Sequence, residues 1–386
     1  MKSLDEIYDW GEKFLEEKLD WAELATFTPN KNDPVYNWFY YKEGFAKELV
    51  LKMIEMFGIK NDNKILDPFC GSGTTLLACK QLGINSIGLD VLPISVFASE
   101  VKTRNYNSEI LHENARNILS QRFVRKIVII NPFMKRMFSP YAREDIIFFK
   151  EKLHEVRDLP TKNFLLLGLI KAAMRVSWVW KDGGVLKIKK QNSSRVPLRK
   201  MYKNVLKSMI RGTEEFQSKP CNTEVAQGDA RNLRQFEDST FDAVITSPPY
   251  LNNIDYTKVY TIENWFINDI IKQEPPLRSH IGLDKDTIEF MEDFEIPASA
   301  RAYFCDMNQS LQEIYRVCKD NANIGLVVGN AYLDNEVIES DIILAYLAEK
   351  IGFKIEKILV LNKRAALVNR TEKVGTLRES LVWIKK

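Results

Sequence analysis

The sequence predicts an α/β fold: a central, mostly parallel sheet interrupted by a largely helical insertion. Three observations lead to it. A strand, a glycine loop, a helix and a second strand follow one another over 64–90, the plan of a dinucleotide-binding half-fold. Strand and helix patterns alternate again from 223 to the C-terminus, as in an open sheet covered by helices. Between them, 105–222 loses that alternation and is rich in helical signals, aromatics and basic residues. A chain of 386 residues, 45% hydrophobic, can bury a large core and hold two or three domains.

Taken in order, the stretch to about Asn32 reads as amphipathic helix, and 43–57 spaces its apolar residues at helical intervals. Ile65–Leu66 opens a strand that runs into Asp67, and Gly71–Gly73 makes a tight loop. Thr74–Leu82 is the next helix, closed by Gly83. Ser86–Leu89 forms a second strand ending at Asp90. Strands resume at Thr223–Ala226 and Phe241–Thr246, and a second irregular stretch covers about 254–299. Helix 300–317, strand Ile324–Val328, helix 339–351, strand Lys354–Leu361 and strand Ser380–Ile384 complete the chain. The expected division is therefore 1–104, with N-terminal helices and the cofactor half of the core; 105–222, a basic insertion; and 223–386, the catalytic half, with a further insertion at about 254–299.

Bulk charge is nearly balanced, with 55 Lys and Arg against 52 Asp and Glu, so any charge signal is local. The N-terminus, MKSLDEIYDWGEKF, is acidic and lacks the apolar run of a secretory signal. Lys171 and Arg175 interrupt the most apolar helical stretch, Phe164–Trp180, well short of the ~20 residues of a membrane span. Cysteines at 70, 79, 221, 305 and 318 are odd in number and form no CxxC pair, and histidines 112, 154 and 280 are scattered. The expectation is a cytoplasmic protein without disulfides, metal or membrane association.

The segment KILDPFCGSGTT sets Gly71 and Gly73 between a strand and a helix. Glycine there adopts positive φ and lets a ligand approach the backbone, and the following helix offers free N–H groups. Asp67 can accept hydrogen bonds from a ligand amino group, and Asp90 at the next strand tip can accept both hydroxyls of a ribose. An adenosine ligand fits. NAD is disfavoured because Thr74, Thr75 and Leu76 follow Gly73 where a third glycine would be needed. By itself GSG is equally a structural turn.

The second motif is TSPPY, closing the strand FDAVI. Pro248 and Pro249 fix φ and remove two N–H donors, so their carbonyls become acceptors of set direction. Ser247 adds a hydroxyl acceptor and Tyr250 a flat ring. Acceptors in front of an aromatic plate suit a planar ring bearing an amine. An exocyclic amine is a poor nucleophile because its lone pair is delocalised. Acceptors aimed at its N–H bonds favour a pyramidal nitrogen, so positioning and oriented dipoles supply the catalysis. By itself SPPY is more often a rigid loop with a packed tyrosine.

DPFCGSGTT followed by TSPPY resembles the amino-methyltransferases of DNA, which form N4-methylcytosine or N6-methyladenine. The likeness spans about 38–104 and 223–386 and leaves the middle unmatched. It implies a Rossmann-like SAM-dependent methyltransferase fold. The cofactor would lie on Asp67, Pro68, Phe69, Cys70, Gly71, Ser72, Gly73, Thr74 and Thr75, with Asp90 and Val91 at a ribose turn that GLD at 88–90 resembles. GDARNL at 228–233 resembles the adenine-contacting loop and implies a role for Asp229 and Ala230. The helix entered at Gly44 and Phe45 resembles the flanking motif, where an aromatic packs near the methionine part of SAM. RESLVWIKK resembles the closing hairpin strand. Ser247, Pro248, Pro249 and Tyr250 become the catalytic residues. Serine before the prolines implies cytosine N4; the order of the two motifs, however, is the reverse of that in many N4-cytosine enzymes. A C5-cytosine mechanism needs a Pro-Cys nucleophile after a strand, and Pro220–Cys221 has no such strand.

Residues 187–211 carry nine cations and no acid. Lys187, Lys189, Lys190, Arg195, Arg199, Lys200 and Lys203 are the expected DNA contacts, with Arg122, Arg125, Lys126, Lys135 and Arg136 as an extension. Asn252, Asn253, Asp255 and Tyr256, and Arg278, Ser279 and His280, are further candidates for holding the target. A duplex base must be flipped to reach a strand-tip pocket. The expected partners are double-stranded DNA and a cognate restriction endonuclease. Three alternatives stand beside N4-cytosine methylation: N6-adenine methylation, an RNA guanine-N2 activity, and a non-catalytic nucleic-acid-binding module.

Overall fold

In the computed structural model, residues 3–124, 132–182, 185–188, 196–251, 255–268, 296–368 and 372–386 are described. The chain begins with α1 (Leu4–Glu12), closed at its start by a capping box between Ser3 and Glu6. It does not continue as helix. Strand β1 (Leu15–Glu17) follows, then short 3-10 turns at Leu19–Ala25, Pro29–Asn32 and Tyr36–Trp38. The expectation of one helical stretch to Asn32 is corrected for a tertiary reason: Leu15–Glu17 adds in parallel to Ile358–Val360 of a C-terminal strand. Pro29 and Pro34 then deny the segment continuous helical hydrogen bonding.

The core elements follow: α2 (Lys47–Met56), β2 (Lys64–Asp67), α3 (Thr74–Leu82), β3 (Asn85–Asp90) and α4 (Pro93–Thr103). A largely helical body comes next, with α5 (Ser108–Ser120), α6 (Pro132–Met137), α7 (Pro140–Leu153), α8 (Leu159–Val176), the hairpin β4 (Val179–Asp182) and β5 (Val185–Ile188), and α9 (Leu198–Glu215). The core then resumes with β6 (Thr223–Gln227), β7 (Phe241–Thr246), α10 (Tyr256–Val259), α11 (Thr261–Asn268), α12 (Ala298–Val317), β8 (Cys318–Gly329), β9 (Ala331–Leu333), β10 (Glu336–Ile338), α13 (Ser340–Ile351), β11 (Lys354–Val368) and β12 (Glu372–Lys385).

Among the described residues, eight strands form one sheet in the order β1-β11-β12-β8-β7-β2-β3-β6. The run β6-β3-β2-β7-β8 is parallel, and β12 lies antiparallel between β8 and β11. Both faces are covered, so the central strands are apolar on both sides. Leu66, Val244, Ile324 and Leu326 face α1, α12 and α13, while Ile65, Ala243, Ile245 and Val327 face α2 and α3. The helical body has its own core around Phe138, Phe149, Phe164 and Tyr202, joined to the sheet through α4 and Trp38.

The hairpin β11–β12 runs past the sheet. Its strands were expected to end near Leu361 and to begin at Ser380, yet pairing continues through Asn362↔Glu379 and Arg364↔Leu377. That extension opens on Asn362, Lys363 and Arg364 and does not alternate apolar with polar residues, so no period-2 pattern announces it.

Candidate active site

The two sequence motifs meet where the strand order reverses. From β2 the chain proceeds outward through β3 to β6, whereas β7 and β8 lie on the other side, which makes β2/β7 the switch point where such sheets bind ligands. Asp67 ends β2 and Thr246 ends β7. The Thr246 hydroxyl donates to Asp67 Oδ1 at 2.6 Å, and Thr75 Oγ1 donates to the Ile245 carbonyl at 3.3 Å. The cofactor-type loop and the SPPY loop are thus fastened to each other beneath the site. Burial pushes the Asp67 carboxyl up to about 7, against the hydrogen bonds from the Thr246 hydroxyl and the Phe69 N–H.

The glycine loop is tightly constrained. Gly71 and Gly73 have φ of +50° and +77°. A Cβ on Gly71 would lie 2.8 Å from Tyr41 Cε1, and one on Gly73 would lie 2.9 Å from Ser99 Oγ. Ser99 Oγ donates to the Gly71 carbonyl at 2.8 Å. Lys102 Nζ, fully buried, donates to the Ser72 carbonyl at 2.5 Å. Asp90 accepts from the Gly71 N–H at 2.9 Å and from the Leu92 N–H at 2.8 Å, one bond on each oxygen. Each oxygen keeps a lone pair for a further donor. Burial raises Asp90 to about 6.

Above this floor is a cavity of about 340 Å³, within the usual range of about 300–1,000 Å³ for small-molecule sites. Of the sequence-predicted residues, Pro68, Phe69, Asp90, Val91, Asp229, Ala230, Ser247, Pro248, Pro249 and Tyr250 line it. Asp67, Cys70, Gly71, Ser72, Gly73, Thr74 and Thr75 do not line it. All but Gly71 and Gly73 have side chains, and these are packed away from solvent below the cavity. Phe45 packs in the core with α2, and its neighbours Glu43 and Gly44 reach the cavity instead. Burial carries the Cys70 thiol well above its ordinary range.

The SPPY loop is held at several points. Ser247 Oγ donates to the Val327 carbonyl of β8 at 2.9 Å. The Tyr250 ring sits so close to Gly329 that a Cβ there would lie 2.7 Å from Cδ2. Burial, with the Glu379 charge behind it, raises the Tyr250 hydroxyl, and the Arg364 charge opposes that. Asp229 is clasped by Arg231, whose Nη2 lies 2.6 Å from Oδ2, while Nη1 reaches Asp306 at 2.9 Å.

Sequence reasoning missed Tyr41, Glu43, Arg231, Arg364 and Glu379, all of which line the cavity. Tyr41 stacks on Tyr260 with centroids 5.2 Å apart, and Tyr260 donates to Glu43 at 2.7 Å. Lys181 of β4 lies 3.6 Å over the Tyr260 ring and pairs with Glu263 at 2.6 Å, so the helical body buttresses the cavity rim. Arg231 was within the GDARNL motif, but its partner Asp306 lies on α12. Only the folded register brings Arg364 and Glu379 to the site.

Among the expected DNA contacts, Lys187, Lys200 and Lys203 are exposed. Arg199 is not: its guanidinium lies 5.0 Å from the Phe148 and Phe149 rings and donates to the Gln121 carbonyl at 3.3 Å. Its side chain is half-buried and engaged with the helical body. Arg211 pairs with Glu215 at 3.2 Å. Of the extension, Arg122, Lys135 and Arg136 are exposed. Lys189, Lys190, Arg195, Arg125, Lys126, Asn252, Asn253, Arg278, Ser279 and His280 lie outside the described residues. Asp255 caps α10, and Tyr256 lines the cavity. A second cavity of about 650 Å³ adjoins the first through Lys42, lined by Lys31, Lys171, Arg175, Lys181 and the half-exposed Tyr40 and Trp180.

A parallel sheet with a cavity at its switch point, a positive-φ glycine loop, a buried acid at the tip of β3 and an acceptor-bearing SPPY loop define a Rossmann-like SAM-dependent methyltransferase. The chain belongs to the DNA methylase family, whose profile matches residues 9–94 and 241–386. Its relatives include the Type II methyltransferase M.BsoBI of Geobacillus stearothermophilus, 29% identical over 94% of this chain and 88% of the relative. Another is the Type II methyltransferase M.AvaI of Nostoc sp., 27% identical over 92% of this chain and 86% of the relative. A tRNA (guanine(10)-N2)-dimethyltransferase of Methanothermobacter thermautotrophicus is 27% identical, over 27% of this chain and 32% of its own length. No described helix is long and apolar enough to cross a membrane. Among the described residues no three His, Cys, Asp or Glu side chains gather as a metal-ligand group.

Proposed function

We propose that this DNA methyltransferase acts on the exocyclic N4 amine of a cytosine flipped from duplex DNA, in a modification system with a cognate restriction endonuclease. One observation carries the reading: a single cavity is lined both by the adenosine-type residues Asp90, Val91, Asp229 and Ala230 and by Ser247–Tyr250. Cofactor and target amine can therefore share one enclosure.

The residues present fit SAM. Asp90 has an acceptor left on each oxygen for ribose hydroxyls, and Phe69, Val91, Leu92 and Ala230 give an apolar lining suited to a purine. When bound, SAM supplies an electrophilic methyl on its sulfonium. The protein's task is to make the amine a nucleophile and aim it. Ser247 gives its own proton to Val327, so its oxygen is left as an acceptor towards the cavity. Pro248 adds a carbonyl with no competing N–H nearby. Together they draw on the amine N–H bonds and return electron density to the nitrogen lone pair. The Tyr250 ring, braced by Gly329, is a surface on which the base can stack. Once methylated, the amine is strongly acidic until it sheds a proton, and water suffices to take it.

Extrusion of the base costs roughly a few kcal/mol, which contacts to the flanking duplex must offset. The exposed Lys187, Lys200 and Lys203 and the cation-lined second cavity are the surfaces proposed for those contacts. The test is transfer of label from SAM to unmethylated duplex DNA and, separately, to bulk tRNA. Label in DNA and none in tRNA is expected; label confined to tRNA would overturn the DNA substrate.

A further inference from the structure

We infer that Arg364 reads the ring edge of the target base and makes the cavity selective for cytosine, an inference that rests on the cytosine reading above. Arg364 is on β11, in the part of the β11–β12 hairpin that outruns the sheet, and it lines the same cavity as Ser247, Pro248 and Tyr250. Its charge is felt at the Tyr250 hydroxyl.

What distinguishes Arg364 is that it is unspent. Each carboxylate lining the cavity already has a partner. Asp90 is held by two backbone N–H groups, Asp229 by Arg231 and Glu43 by Tyr260. Glu379 accepts from Asn362 Nδ2 at 3.1 Å. Glu379 also pairs across the strands with Asn362, while Arg364 faces Leu377, so the two charges are diagonal neighbours rather than opposite ones. The other guanidinium in the lining, Arg231, is committed to Asp229 and Asp306. Arg364 is exposed and makes no hydrogen bond or ion pair among the described residues.

The chemistry of the two candidate bases then decides what such a group is good for. Along its pairing edge cytosine presents the N4 amine, then N3, then O2: one donor followed by two adjacent acceptors. Adenine presents the N6 amine, then N1, then a C–H. A guanidinium offers two parallel N–H donors in one plane, a fork that fits two adjacent acceptors. It matches cytosine N3 and O2 while the amine faces Ser247 and Pro248. Against adenine one arm of the fork meets a C–H and stays unsatisfied. A fork at this place discriminates by leaving a desolvated donor unpaired with the wrong base. Glu379, turned to Asn362, leaves the fork free to do so.

The test is a double cycle on a duplex containing the cytosine that the enzyme methylates. The target cytosine is kept or replaced by 3-deazacytosine, which lacks the N3 acceptor, and the protein is wild type or Arg364→Met. The wild type should lose roughly 10–100-fold in kcat/KM on 3-deazacytosine, the range of a bidentate base contact. Arg364→Met, which removes both arms of the fork, should lose at least that factor on cytosine and only about threefold more on 3-deazacytosine, because the N3 contact is already gone from the variant. Arg364→Lys keeps the charge, loses the fork and should follow Arg364→Met. Dissociation constants for SAM should stay within about twofold in both variants. Multiplying losses with N4-methylcytosine still formed would overturn this inference alone. A tenfold loss of SAM affinity would also overturn it, making Arg364 a clamp on the cofactor carboxylate. Methylation of adenine by the unmodified protein would remove the cytosine reading and this inference together.

Discussion

The Ser247 hydroxyl donates to the Val327 carbonyl, and that bond settles which way its proton points. Ser247→Ala should therefore lower kcat by about 10–100-fold, the scale of losing one pre-oriented partner of the reacting group, with the SAM dissociation constant nearly unchanged. Equal losses in both would move Ser247 from the amine to the cofactor. Gly329→Ala would place a methyl group 2.7 Å from the Tyr250 ring and should push that ring into the cavity; kcat/KM for DNA should fall while SAM binding survives. Gly73 tests the loop instead. At φ +77° any side chain costs roughly 1–2 kcal/mol, and its Cβ would also meet Ser99. Gly73→Ala should lower the melting temperature and weaken SAM together. At this scale the sequence was readable wherever a motif is local. Ser247–Tyr250 and Asp67–Thr75 are continuous motifs, each following a strand, and Asp90 reads as a strand tip, so their resemblance to a known family could be seen in the sequence. Arg364 and Glu379 were invisible because only the hairpin register brings them to the cavity.

Helix α9 shows how an element hides the fate of its own charges. Its apolar stripe, Leu198, Tyr202, Val205, Leu206 and Met209, packs into the helical body and leaves Lys200, Lys203 and Lys207 outside. Arg199 stands between the two faces and is drawn over Phe148 and Phe149. A count of basic residues cannot separate these cases; the helical angle relative to the stripe can. Lys200→Gln with Lys203→Gln should reduce the slope of log K for DNA against log salt by about 2, since each phosphate contact contributes about 0.9. Arg199→Gln should leave that slope alone and cost stability, about 1 kcal/mol from the lost ring contacts. An unchanged slope in the double lysine variant would return α9 to a solvated face. The same logic explains the N-terminus. Leu4–Glu12 is helix because its capping and periodicity are local, whereas Leu15–Glu17 is strand only because Ile358–Val360 offers an open edge.

Across the whole molecule, the fold class and the strand and helix alternation were legible because burial on both faces of a parallel sheet writes apolar runs into the sequence. What was not legible is the price of the site in buried charge. Burial lowers Lys102, under the glycine loop, and Lys171, held by the Asn37 carbonyl and Oδ1, to about 7 each. Below pH 7 the folded protein must bury both cations, so their penalty is fully present. As pH rises from 7 towards the ordinary lysine range near 10.4, the unfolded chain holds protons that the folded one has released, and stability gains. Asp67 and Asp90, raised to about 7 and about 6, act in the opposite sense below that window: their penalty grows from about pH 4 and is complete near 7. Without cofactor, the Lys102→Met, Lys171→Met double variant should lack the lysine-linked gain. Its melting temperature relative to wild type should fall steadily between pH 7 and pH 9.5, and a constant difference would mean that neither lysine titrates there. The central claim, transfer to cytosine N4 in the cavity shared by Asp90 and Ser247, is tested most directly by one measurement. The protein is incubated with isotopically labelled SAM and unmethylated duplex DNA, the DNA is digested to nucleosides, and the labelled nucleoside is identified by mass spectrometry. Label in N4-methyldeoxycytidine is the predicted result; label in N6-methyldeoxyadenosine would contradict it.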